Sequence, residues 1–281
     1  MTETESLPHV TVIDAARRAA SVSPRELFRH RDLWLILSQR DVKVRYRQAL
    51  IGMAWAVLRP AASVAAFVML FGWLDRQPTT EGVPYAASAL AGLLTWQLFA
   101  GGVSDMADSL VRNRHVLTKV YFPRVLIPLS SLTVSLVDFG VALLAALGWL
   151  AWLGVLPGAR VVLLPVWVAG VVGLSAAVGL FASSLQARYR DVGLVIPFLL
   201  QLGWIVHPVV YETRAVIPER YWWLYALNPL AVLFDAVRWS LVGSAAPAWW
   251  SVGWSALAVG LVLMLAWRFF HWLDTELADR I

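Results

Sequence analysis

The densest chemistry in this chain is cationic. Residues 40–47, RDVKVRYR, set Arg40, Lys43, Arg45 and Arg47 within eight positions, and the stretch that follows, QALIGMAWAVL, is apolar. Positive charge against a hydrophobic segment suits anionic lipid headgroups and anchors the adjoining end of that segment on the cytoplasmic side. Other reactive groups are sparse. His9, His30, His115, His207 and His271 are scattered along the chain. HExxH, GxSxG and a Gly-rich phosphate loop are absent, so neither hydrolase chemistry nor Walker-type ATP binding is expected. His207, just before Pro208, reads as structural or pore-lining rather than catalytic. Asp138 is the one acid well inside an apolar stretch, and such a carboxylate is a functional candidate. With no second acid or base beside it, the favoured reading is a hydrogen bond to a neighbouring helix rather than proton relay. Arg59 either snorkels to the cytoplasmic surface or lines an aqueous vestibule. The chain has no cysteine, which excludes disulfides and thiolate metal sites.

The elements that hold these groups follow from hydropathy. Of 281 residues, 59% are hydrophobic and 15% charged, against about 25% charged in a soluble domain. Mean hydropathy is +0.67, so the fold class expected is an all-α integral membrane protein. The net charge of +5 suits lipid headgroups better than nucleic acid. The first 47 residues hold no apolar core of a secretory signal. A span needs about 20 apolar residues, and six stretches qualify: 51–74, 82–104, 125–153, 161–185, 192–211 and 246–267. YWWLYALNPLAVLF (221–234) has 14 residues and is interrupted by Asn228-Pro229. It is expected to form a re-entrant helical hairpin, about 212–245, between spans five and six. The domain reading is a polar extension (1–22), an interface helix with a basic gate segment (23–48) and a six-helix transmembrane domain (49–281).

Ser23, Pro24 and Glu26 read as the start of a helix over 24–40. That helix is expected to lie amphipathically in the membrane interface, with an ordinary cytoplasmic helix packed on the protein as the alternative. With six spans both termini share one side, and Lys plus Arg then divide 18 to 5 in favour of that side. The bias makes it cytoplasmic. Of the 16 Trp, 11 Phe and 7 Tyr, many fall near span ends. An interfacial belt explains most of them, and stacking surfaces for sugar rings are the alternative.

Several stretches, in order, carry a family resemblance: RDVKVRYRQALIGMAWAVLRP (40–60), AGLLTWQLFAGGVSD (91–105), LVRNRHVLTKVYFPRVLIPLSSL (110–132), ARYRDVGLVIPFLLQLGWIVHPVVY (187–211) and IPERYWWLYALNPLAVLFDAVRW (217–239). The chain resembles the membrane permease subunit of ABC polysaccharide exporters, which move O-antigen, capsule and teichoic acid chains. Arg59 departs from the family's usual uncharged polar residue, and residues 1–22 match nothing. The resemblance implies a bacterial inner-membrane, multi-pass subunit that is not itself an enzyme. It would pair with a second copy of itself and with two ATP-binding subunits that bind ATP and Mg, leaving this chain without a cofactor. The cargo implied is a polysaccharide on a polyprenyl pyrophosphate carrier. Arg40, Lys43, Arg45 and Arg47 would then meet the pyrophosphate headgroup at a cytoplasmic gate, a task suited to arginine, with plain topogenic charge as the alternative. Trp55, Phe67, Phe71, Trp96, Phe99, Trp204 and Tyr211 would line the glycan path. Arg112, Arg114, Lys119, Arg188, Tyr189, Arg190 and Asp191 would couple to the ATPases. Competing expectations are an ABC permease for a lipid or drug and, more remotely, a membrane glycosyl or acyl transferase.

Overall fold

A computed structural model describes residues 29–47, 52–73, 82–117 and 122–278. Among these residues the fold is helical, with no strand. The main helices are α1 (Arg31–Arg47), α2 (Ala54–Trp73), α3 (Tyr85–Arg112), α4 (Leu126–Trp152), α5 (Leu164–Arg188), α6 (Val192–Val206), α7 (Trp222–Leu227), α8 (Pro229–Val242) and α9 (Trp249–Ala278).

α3 is the hub. Every residue from Ala87 to Thr95 is buried, as befits a helix that is apolar around its whole circumference. α5 packs on one flank of α3, α4 on another and α2 over both α3 and α4, while α9 lies against α5. Small residues permit this closeness, since lipid-embedded helices associate by packing and not by escape from water. A Cβ on Gly179 of α5 would come within 2.6 Å of the Met106 sulfur on α3. Hydrogen bonds add register: Ser175 Oγ donates to the Phe99 carbonyl at 3.0 Å, and Trp167 Nε1 donates to Ser240 Oγ at 2.8 Å.

Two ends of the bundle are defined by contacts. At the basic end, α1 reaches Asn113 beyond α3, and Gln186 near the end of α5 donates to Asp108 on α3 at 2.7 Å. At the far end, the start of α3 meets the turn after α6 and the body of α8. α6 therefore crosses the bundle from the end holding Gln186 to the end holding Ser88.

Five helices are long and apolar enough to cross a membrane: α2, α3, α4, α5 with the 3₁₀ turn before it, and α9. They cover five of the six expected spans. The fifth expected span, 192–211, is shorter than anticipated. α6 has 15 residues, about 22 Å of rise against a hydrocarbon thickness of about 30 Å. Pro208 accounts for its end, because the residue before a proline is driven out of the helical region. His207 is extended, at φ −85° and ψ 153°.

The apolar segment near the end breaks at the expected place. α7 stops at Leu227, and Asn228 Oδ1 accepts from the amides of Leu230 and Ala231 at 3.0 and 3.4 Å. Pro229 takes the first position of α8, where its missing N–H is no loss. α8 ends at Gly243 in the left-handed region, φ +79°, the usual helix stop. α8 wedges against α3, α5 and α9.

The N-terminal helix departs from expectation. It runs through the basic segment to Arg47 instead of ending near residue 40, since no glycine or proline interrupts 31–47. Its buried residues, Leu37 and Ser38, face the protein, and Ser38 Oγ donates to Thr133 Oγ1 on α4 at 3.2 Å. The contacts are those of a helix packed on the bundle. The proposed cap at Ser23–Glu26 and the extension 1–22 lie outside the described residues.

Candidate functional site

The basic helix meets α3 and α4 through a ladder of polar contacts. Arg40 donates to Asp41 Oδ1 at 2.7 Å and to Asn113 Oδ1 at 2.6 Å. Asn113 is itself fixed by donating to the Ser109 carbonyl at 2.9 Å. Ser130 on α4 donates to the other oxygen of Asp41 at 3.4 Å. Five residues further along α1, Arg45 donates to Asp105 Oδ2 at 2.7 Å, and its Nε lies 3.4 Å from Asp138 Oδ2. Ser135 donates to the same Asp105 oxygen at 2.7 Å, and Tyr46 donates to Asp138 Oδ1. Burial disfavours the Arg45 cation, but the carboxylates of Asp105 and Asp138 outweigh it and raise its pKa above arginine's ordinary value.

These contacts separate the four predicted headgroup cations. From Asn113 to Asp105 is eight residues along α3, about 12 Å, so Arg45 reaches well further into the bundle than Arg40. Lys43 and Arg47 are exposed, and neither has an ion pair among the described residues. Asp138 has the helix-to-helix bond expected of it, and its partners come from α1. A cavity of about 220 Å³ opens beside this cluster, with Arg45, Tyr46, Trp55, Arg59, Gln97 and Asp138 among its lining residues. Arg59 and Trp55 therefore line the same cavity.

Five of the predicted path aromatics form two groups of ring contacts. Phe67 on α2 lies 6.3 Å, centroid to centroid, from Phe71 and 5.5 Å from Trp204 on α6. Phe71 meets Tyr85 edge-on at 5.3 Å. Trp96 lies 5.8 Å from Phe99 on α3 and 6.0 Å from His207. Tyr211 donates to the Val206 carbonyl at 3.1 Å and sits 3.3 Å from the Tyr225 hydroxyl. Trp55 stands apart in the basic-end cavity.

The predicted coupling residues share the basic end. Arg112 and Arg114 are exposed where α3 closes, and Tyr189, Arg190 and Asp191 are exposed in the turn between α5 and α6. Arg188 is half-buried, its guanidinium 5.4 Å from the Tyr189 ring centroid. Lys119 lies outside the described residues.

One group was missed by sequence reasoning. Arg238 on α8 is 0% exposed. It donates to the carbonyls of Ser88 at 3.1 Å, Pro208 at 2.5 Å and Val209 at 2.6 Å. Its Nη1 is 3.9 Å from Asp235, and the guanidinium lies over the Phe234 ring at 5.9 Å. Gly92 makes room, for a Cβ there would fall 1.9 Å from the Val209 carbonyl oxygen and 2.3 Å from Arg238 Nη2. Glu212, also buried, accepts from Ser88 Oγ at 2.7 Å. The available signal was the spacing of Asp235 and Arg238, one helical turn apart in an otherwise apolar helix.

The bundle has five helices long and apolar enough to cross a membrane, a charged rim at one end and aromatic contacts between its helices; no cluster of groups that could hold a metal occurs among the described residues. Residues 32–242 match the ABC-2 type transporter family, and the chain belongs to it. It is 31% identical over 215 residues to the O-antigen export system permease protein RfbA of Myxococcus xanthus, an alignment covering 76% of this chain and 82% of that protein. It is 27% identical to the protein of the same name from Klebsiella pneumoniae, over 74% of this chain and 79% of the relative. It is 22% identical to the polysialic acid transport protein KpsM of Escherichia coli, over 71% and 77%.

Proposed function

We propose that this chain is the transmembrane subunit of an ATP-driven exporter that moves a lipid-linked polysaccharide across a bacterial inner membrane. The observation that carries this reading is the alignment of about three quarters of the chain with permeases named for O-antigen and polysialic acid export. The chain performs no covalent chemistry. Aromatic faces suit a sliding polymer, because stacking is weak, uncharged and tolerant of register.

The working unit is two copies of this chain with two ATP-binding subunits, which supply ATP and Mg. The ATPases dock at the basic end, against Arg112, Arg114 and the 188–191 turn. Both termini lie in the cytoplasm. α6 serves as the sixth crossing, and the segment from Pro208 to Ala248 dips in from the outside and returns. Two features support this threading: α6 runs from the basic end to the far end, and Lys plus Arg favour the basic side 18 to 5. α1 forms the cytoplasmic gate, with Lys43 and Arg47 presented to the pyrophosphate headgroup of the carrier.

Deletion of the gene tests the cargo. Surface polysaccharide should disappear while lipid-linked polymer accumulates inside the cell, and a plasmid copy should restore export. Unchanged surface glycan in the deletion strain would overturn the assignment.

A further inference from the structure

At the end opposite the basic helix lies a second cavity, of about 260 Å³, walled by the turn after α6, by α7 and α8, and by the segment leading into α9. It is smaller than the roughly 300–1,000 Å³ of pockets that take drug-sized molecules, a size for one ring rather than a chain. Trp222, Trp223 and Trp250 line it, together with Asp235, Thr213 and Arg214. Trp223 and Trp250 are each 58% exposed.

The walls are cross-linked. Thr213 Oγ1 donates to Asp235 Oδ1 at 3.3 Å. Arg214 Nη2 donates to the Ala246 carbonyl at 3.0 Å while its guanidinium lies 5.6 Å from the Trp222 ring centroid. Trp222 Nε1 is held by the Ile217 carbonyl at 2.8 Å. Among the described residues the hydrogen bond to Asp235, from Thr213, and its ion-pair approach to the buried Arg238 both fall on Oδ1. Its Oδ2 accepts nothing there, so a carboxylate oxygen in a pre-formed aromatic cavity is left to take a donor.

Aromatic belts at a bilayer surface are common, but a belt does not need a concavity floored by an acid. A phosphate headgroup is disfavoured because the wall sets two carboxylates, Asp235 and Glu212, against a single cation, Arg214. A neutral polyol meets both features, its C–H face against the indoles and its hydroxyls donating to the charged acceptor. We propose that this cavity is a monosaccharide-binding subsite at the outer exit, occupied by successive sugar units of the exported chain. The proposal rests on the polysaccharide reading above and adds where the polymer is held as it leaves.

Saturation-transfer NMR on the full chain in lipid nanodiscs tests it, with the methyl glycosides of glucose, galactose, mannose and rhamnose as probes and glycerol phosphate as the headgroup control. At least one glycoside should receive saturation at its ring protons. The signal should fall at least threefold in Asp235→Asn and in the Trp223→Ala/Trp250→Ala double variant, and stay unchanged in Trp152→Ala, an exposed tryptophan outside the cavity. The double variant alters only exposed side chains, so its monodisperse elution separates lost binding from lost fold. No transfer to any glycoside, equal transfer in the variants, or transfer to glycerol phosphate alone would overturn the proposal. The cargo reading fails separately: if a deletion strain displays normal surface glycan while glycosides still bind, export and the exit role fall together. If export depends on the chain and no glycoside binds, only the subsite falls.

Discussion

Arg45 has two carboxylates within reach, whereas Lys43 and Arg47 have none among the described residues. The cationic run that looks uniform in sequence therefore splits into a structural part and a free part. Neutralising Lys43 and Arg47 to Gln should lower export while leaving expression and melting temperature unchanged. Arg45→Ala should lower the melting temperature, and its double-mutant cycle with Asp105→Asn should give a coupling of about 0.5–1 kcal/mol, because the guanidinium stays partly in water. At the far end, Arg238→Ala strands three carbonyls and the Asp235 charge, at a cost of about 3–5 kcal/mol. Gly92→Ala should be at least as damaging, since backbone must move. Thermal unfolding of the detergent-purified protein, followed by tryptophan fluorescence, checks both. The Arg45 pairings, unlike the local spacing of Asp235 and Arg238, were not legible beforehand: Arg45 and Asp138 are 93 positions apart, and composition does not say which distant acid a cation will find.

The elements were more readable than the contacts, because their signals are local. The stop at Asn228-Pro229 follows from a missing donor and a side chain built to cap, and it lies where those residues predict. Asn228→Ala should cost about 1 kcal/mol, read as a lower melting temperature with α8 retained by circular dichroism. α2, α4 and α5 begin and end close to the apolar stretches that predicted them, whereas α3 and α9 outrun theirs by eight and eleven residues, continuing to Arg112 and Ala278. α6 came out shorter because Pro208 acts at a point where hydropathy remains high. α1 came out longer because charge alone does not end a helix; the expected end near residue 40 had no glycine or proline to make it. Trp96, Phe99, Phe67 and Trp204 could be chosen as path candidates from type and position, but their division into two groups depends on how α2 and α6 pack on α3.

For the whole molecule, the lack of native cysteine allows a clean test of threading. A single cysteine at Ala246, exposed in the α8–α9 connection, should react with an impermeant maleimide added to intact spheroplasts. One at Arg114, exposed at the basic end, should react only after lysis. The reverse pattern would invert the orientation proposed here and with it the docking face for the ATPases.

The guanidinium of residue 238 also imposes an order in time. It bonds to a carbonyl 150 positions earlier in the chain, so the ribosome has finished most of the protein before that bond can form. Until then the carbonyls that open the turn after α6 face the translocon or lipid without their donor, a state that costs free energy for each unmatched group. Assembly of the end opposite the basic helix is thereby deferred to the last stage of synthesis, and a nascent chain released before α8 emerges would present quality-control proteases with an unfinished bundle.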